Sequence, residues 1–99
     1  MAYLIYAIDH EGMHNNREEI REAHRNHLRS IGIKLLASGA LLAEDGQTVL
    51  GGISLVDTDD YADAERFALE DPYQKAGLHK ELKILKWRKR WWEGQFLLD

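Results

Sequence analysis

The sequence has 99 residues, no cysteine, 44% hydrophobic and 30% charged residues, and a formal net charge of -4. Without cysteine there is no disulfide framework, thiolate metal site or cysteine nucleophile, and the length suits one hydrophobic core, expected as a single domain over 1–99. The acidic balance argues against a general nucleic-acid binder, although Lys83, Lys86, Arg88, Lys89 and Arg90 interleave with Trp87, Trp91 and Trp92 near the C-terminus.

The first apolar run, Tyr3 to Ile8, is aromatic and β-branched and meets the polar cluster Asp9-His10-Glu11-Gly12, which predicts a buried strand. It lacks the basic flank of a signal peptide, and no stretch approaches the roughly 20 apolar residues of a membrane span, so a cytoplasmic protein is expected. From about Asn16 to Ile31 the period becomes helical. Ile20, Ala23, His24, His27, Leu28 and Ile31 share a face, with Asn15 or Asn16 as the expected cap and Glu18 and Glu19 in the first turn. Gly32 is the expected stop.

Leu35 to Leu42 reads as a strand interrupted by small residues, and Ala43 to Gln47 supplies turn chemistry with an Asp-Gly pair. Thr48 to Val56 returns as a second strand, where Gly51 and Gly52 suggest a bulge or a close backbone approach. A helix over Asp60 to Glu70 follows, capped by Thr58 and burying Tyr61, Ala64, Phe67 and Ala68. Asp71 to Gly77 is a short turn, and Leu78 to Trp87 the last strand. About 91–99 then forms a Trp-containing extension.

The order β-α-β-β-α-β predicts an α+β domain of the ferredoxin-like type, with an antiparallel four-stranded sheet and both helices on one face. Val49, Ile53, Leu55, Leu82, Ile84 and Trp87 supply more apolar surface than two short helices cover. The bare sheet face is therefore expected to bury itself against a second copy, giving a homodimer.

Three residues are candidates for chemistry. His27 points at the sheet, either as a core histidine with both nitrogens bonded or as an acid/base group. Asp71 precedes Pro72, so it either caps the following turn or uses a second oxygen to orient an imidazole. Ser38, in Ala37-Ser38-Gly39, is either a small residue chosen for packing or a hydroxyl awaiting a base. His24 could join Asp71 or His10 as a metal ligand, but no third ligand stands at a fixed spacing, so no metal site is expected. Tyr73 could line a pocket or staple the turn, and Gly39 leaves room for a ligand.

Arg21-Glu22-Ala23-His24-Arg25-Asn26-His27-Leu28, then Leu36-Ala37-Ser38-Gly39-Ala40-Leu41 with Asp45-Gly46, then Asp71-Pro72-Tyr73-Gln74-Lys75-Ala76-Gly77-Leu78, and finally Ile84 to Trp87, together resemble the YciI-like (YCII-related) family over about residues 2 to 90. The resemblance implies a dimeric α+β barrel. It places the family's His and Asp on His27 and Asp71, and the serine of an enzyme-like branch, with chemistry resembling dehydrochlorination of aromatic compounds, on Ser38. Two positions depart from the family pattern, which more often has proline at Ala40 and arginine at His24.

The reading is a small-molecule enzyme without an organic cofactor, in which His27 is the general acid/base, Asp71 orients it, and Ser38 or water completes the site. His24, Gly39 and Tyr73 line the substrate pocket. The alternative is a non-catalytic ligand-binding or accessory dimer, and a third reading is an interaction module exposing its Trp-rich tail.

Overall fold

The computed structural model describes residues 1–97. Strand β1 (Ala2–Asp9) leads to helix α1 (His14–Ile31), a 3-10 turn at Gly32–Lys34, the hairpin β2 (Leu35–Leu42) and β3 (Val49–Val56), helix α2 (Tyr61–Glu70), the short helix α3 (Pro72–Lys75) and strand β4 (His79–Trp87). The four strands form one antiparallel sheet in the order β2-β3-β1-β4, which is the expected ferredoxin-like topology. The start of the C-terminal extension forms a small hairpin, β5 (Trp91–Trp92) with β6 (Gln95–Phe96), turned through Glu93 and Gly94, both at positive φ.

The helix caps differ from expectation because neither Asn nor Thr takes the capping position. Helix α1 starts earlier, at His14, with Met13 ahead of it and no side-chain cap, so Asn15 and Asn16 lie inside the first turn. Asp60, not Thr58, caps α2 by accepting from the Ala62 amide at 2.9 Å. Thr58 accepts from the Asp60 amide and donates to Asp63. Gly32 ends α1 at φ 64, a conformation that suits glycine.

Strand pairing decides which side chains meet the helices. Ile5 stands opposite Ser54 and Ile84, Ala7 opposite Gly52 and Leu82, and Tyr3 opposite Val56, so these residues share a face. Ile5, Val56, Phe67 and Ala68 form the core, with Leu28, Ile31, Leu35, Leu82 and Ile84 packed against it. Leu82 and Ile84 therefore do not belong to the uncovered face, as the sequence reading had them. That face instead carries Leu4, Tyr6, Ile53, Leu55, Leu85 and Trp87, and Leu85 is half exposed. Tyr61, expected in the core, also lies at the surface, edge-on to Tyr3.

Helix α1 is anchored to the core at its C-terminal end by Leu28 and Ile31, and no residue of it is fully buried. Its earlier turns place arginine and histidine where the apolar stripe would continue, so that part of the helix stands off the sheet.

Gly51 marks the close approach read from the sequence. A Cβ there would lie 1.9 Å from the Ala7 carbonyl oxygen, whereas one on Gly39 would meet nothing within 4 Å. Gly51→Ala is expected to lower stability by about 3 kcal/mol or more, and Gly39→Ala by less than about 1 kcal/mol, as read by urea unfolding. Equal costs would contradict the register described here.

Candidate functional site

The gap between α1 and the sheet is a cavity of about 580 Å³. Its floor is Ile5, Ala7, Gly52, Ser54 and Leu82, and its helical wall is Arg17, Arg21, His24 and Leu28, with Phe67, Asp71, Tyr73 and His79 closing the end.

Asp71 sits between two helices. Its φ and ψ of -60° and 125° end α2 and start α3, as the following proline requires. One carboxylate oxygen, Oδ1, accepts from the Tyr73 amide at 3.0 Å and from His24 Nδ1 at 2.9 Å. By sequence alone, capping and imidazole orientation are alternatives for Asp71, or duties of its separate oxygens. The structure gives both to a single oxygen, and Oδ2 has no hydrogen bond among the described residues.

The pairing expected between His27 and Asp71 is not made, because His24 occupies that position. Burial pushes the Asp71 carboxyl upward, but the hydrogen bond and charge of His24, followed by the Tyr73 amide, outweigh it and hold the pKa below the usual value. An ionised Asp71 can only accept, so His24 donates from Nδ1 and leaves Nε2 as the basic nitrogen. The His24 ring also stacks on Tyr73, with centroids 4.1 Å apart and planes 18° from parallel.

His27 has a different partner. Its Nε2 donates to the Phe67 carbonyl at 2.9 Å, and its ring stacks on the Phe67 ring at 4.8 Å. Phe67 lies in the last turn of α2, where carbonyls lack helical partners, so His27 caps that helix end and does not line the cavity. The residue read as the acid/base group thus supports the helix that delivers Asp71.

Ser38 and Gly39 line the cavity. Ser38 Oγ shares a hydrogen bond of 2.9 Å with Ser54 Oγ and has no hydrogen bond to a histidine among the described residues. Tyr73 is buried in the cavity wall, and burial raises its phenol pKa, keeping the hydroxyl protonated. Among the described residues, no group of three or more His, Cys, Asp and Glu could hold a metal ion.

A second cluster was missed. A register shift between Ile8 and Asp9 brings Asp9 beside His79. Asp9, whose side chain is 7% exposed, accepts from Arg17 Nε through Oδ2 at 2.9 Å. Its Oδ1 faces His79 Nε2 at 3.7 Å and is buried without a hydrogen bond. His79 Nδ1 meets Gln74 Oε1 at 2.8 Å, and the Arg17 guanidinium lies 4.3 Å from the Tyr73 ring centroid. One signal could have found Arg17: Arg17, Arg21, His24, Leu28 and Ile31 fall on one stripe, and its last two members pack against the core.

Burial lowers the His79 pKa, against the opposing pull of Asp9. The unfolded chain then takes up a proton below about pH 6.5 more readily than the folded one, so stability falls as pH drops through that window. The Asp71 contribution is lost only lower, below about pH 4. Urea unfolding should show His79→Gln losing less stability than the wild type between pH 7.5 and 5.5. Parallel losses would assign the window elsewhere.

Comparison with known proteins bears on the family and the fold. The family model described as the YCII-related domain matches residues 1–88. Among solved structures, 5-chloro-2-hydroxyhydroquinone dehydrochlorinase from Burkholderia phenoliruptrix, in complex with 2,5-dihydroxybenzoquinone, is 25% identical with a TM-score of 0.80, covering 89% of this chain and 94% of that one. No curated protein sequence matches the chain.

Proposed function

The chain belongs to the YCII-related domain family, and from that premise we propose that it is a cytoplasmic small-molecule enzyme in which His24, held by Asp71, is the general base. The observation that carries the reading is the 2.9 Å bond from His24 Nδ1 to Asp71 Oδ1 at the wall of a ligand-sized cavity. A fixed Nδ1 tautomer and an ionised partner make Nε2 a proton acceptor whose imidazolium form the carboxylate stabilises.

The similar solved structure is a dehydrochlorinase, and the dyad suits the same class of chemistry, elimination from a hydroxylated ring. In the ring's keto tautomer the chlorine-bearing carbon is saturated; a hydroxyl proton passes to His24 Nε2, the O–H pair becomes a carbonyl bond, and the ring double bond shifts to expel chloride with the carbon–chlorine pair. The proton then leaves to solvent. Tyr73, 3% exposed and in contact with both the His24 ring and the Arg17 guanidinium, holds these two groups in place at the cavity wall. Ser38 and Gly39, across the cavity, leave space for substrate, and Ser38 serves as a hydrogen-bonding hydroxyl and not as a nucleophile.

Chloride release from 5-chloro-2-hydroxyhydroquinone tests this. His24→Asn and Asp71→Asn should each lower the rate by about 10²- to 10⁴-fold, with Asp71→Asn keeping an oxygen for the Tyr73 amide and hence the fold. His27→Asn should stay within about threefold of the wild-type rate while costing about 1 kcal/mol of stability. Loss at His27 with retention at His24 would reverse the assignment. A wild type that binds this compound without releasing chloride would make the domain a ligand-binding module.

The functional unit we propose is a homodimer through the uncovered sheet face. Leu55, Leu4 and the half-exposed Leu85 lie side by side there on adjacent strands, flanked by Ile53, Tyr6 and Trp87, and a contiguous apolar patch of this kind is rarely left to water. Leu85→Lys should convert a sedimenting dimer to monomer. A wild-type monomer would refute the interface.

A further inference from the structure

Arg17 is largely withdrawn from solvent, its side chain only 15% exposed, yet its hydrogen bonding is incomplete. Nε is committed to Asp9 Oδ2 at 2.9 Å. Neither terminal nitrogen, Nη1 or Nη2, has a hydrogen-bond acceptor among the described residues, and together they carry four N–H groups. A guanidinium removed from water is costly unless its donors find acceptors.

The surroundings show where an acceptor would lie. Arg17 lines the same cavity as His24, with its guanidinium carbon 4.3 Å from the centre of the Tyr73 ring on which His24 stacks. Gly52 forms the floor beside it: a Cβ there would stand 3.9 Å from Nη2, in ordinary van der Waals contact. The Asp9 bond fixes the orientation, because a fork held at Nε presents its two terminal nitrogens end-on. Asp9 is in turn enclosed by His79 and by Arg17 itself, so the clamp is built into the end of β1 and the start of β4.

From this geometry we propose that Arg17 is the anion clamp of the cavity, binding a planar two-oxygen anion, a carboxylate or the delocalised oxygens of an acidic hydroxyquinone, through Nη1 and Nη2. The inference rests on the cavity being a substrate site and deepens that reading by naming the substrate class. An anionic oxygen pair held beside Tyr73 would set a planar substrate along the wall that also carries the base. The remaining cavity arginines are less suited to the task. Arg21 is paired with Glu18, and Arg25 has a more exposed side chain beside Glu22.

Binding of benzoate and of its neutral isostere benzamide, measured by calorimetry, tests the clamp without requiring turnover. Benzoate should bind wild type at least about tenfold more tightly than benzamide. Arg17→Lys keeps the charge but loses the fork, and should weaken benzoate by about 10- to 100-fold. Arg29→Gln removes one positive charge from the exposed side of α1, and should leave benzoate affinity within about twofold. Equal affinity for the two ligands, no benzoate binding to wild type, or an undiminished affinity in Arg17→Lys would overturn the proposal.

A crystal structure of the wild type with benzoate provides a readout that holds even if Arg17→Lys fails to fold. The carboxylate should sit within about 3.2 Å of both terminal nitrogens, and a carboxylate placed elsewhere would refute the clamp. Should benzoate bind at Arg17 while His24→Asn leaves chloride release intact, the clamp stands and the acid–base assignment falls. The reverse pattern separates them the other way.

Discussion

A single carboxylate oxygen ties the site together. Asp71 Oδ1 holds the first amide of α3 and the imidazole of α1, so one acceptor fixes the end of α2, the start of α3 and the ring orientation of His24. A carboxylate with a net lowered pKa remains a pure acceptor at neutral pH, which is why the tautomer of His24 follows from its neighbour. His27 secures the same junction from behind by binding the Phe67 carbonyl. The two histidines divide the labour: one supports the junction and the other faces the cavity.

The cavity exists because α1 is amphipathic in an unusual way. Its sheet-facing stripe is apolar only at Leu28 and Ile31, and the earlier positions Arg17, Arg21 and His24 cannot be buried dry against Ile5, Ala7 and Leu82. The helix is therefore pinned at one end and held off at the other. The space that results has a hydrophobic floor and a wall of nitrogen donors, the usual make-up of a small-molecule site. The fold and the site share a cause, since the residues that weaken packing along α1 are those that line the cavity.

Asp9 and His79 add a buried polar cluster beside the dyad. Asp9 supplies the countercharge that lets Arg17 sit inside the protein, and the strand irregularity at Ile8 and Asp9 makes this possible by turning His79 toward it. Arg17, His24 and Tyr73 thereby form one continuous surface, with a cation and a base reaching the same aromatic ring.

Strand and helix order, the stop at Gly32, the close approach at Gly51 and the Asp-Pro start of α3 were all legible in the sequence, because each depends on local chemistry: side-chain period, conformational freedom or a missing amide hydrogen. That His24, expected only to line the pocket, and not His27 would pair with Asp71 was not. His24 and His27 lie three residues apart, only about 60° around the helix, and periodicity cannot say which of two such neighbours meets the sheet and which meets another helix. That is decided by how α1 crosses α2, which depends on Leu28, Ile31 and Phe67 packing together. Leu82 and Ile84 were misplaced for a related reason, since strand alternation divides residues into two faces but only pairing with Ile5 and Ala7 says which face is covered. Asp9 stands at the polar end of a strand and Arg17 in the first turn of a helix, and local sequence does not connect them. Only the tertiary structure, by closing a strand end onto a helix, gave them each other.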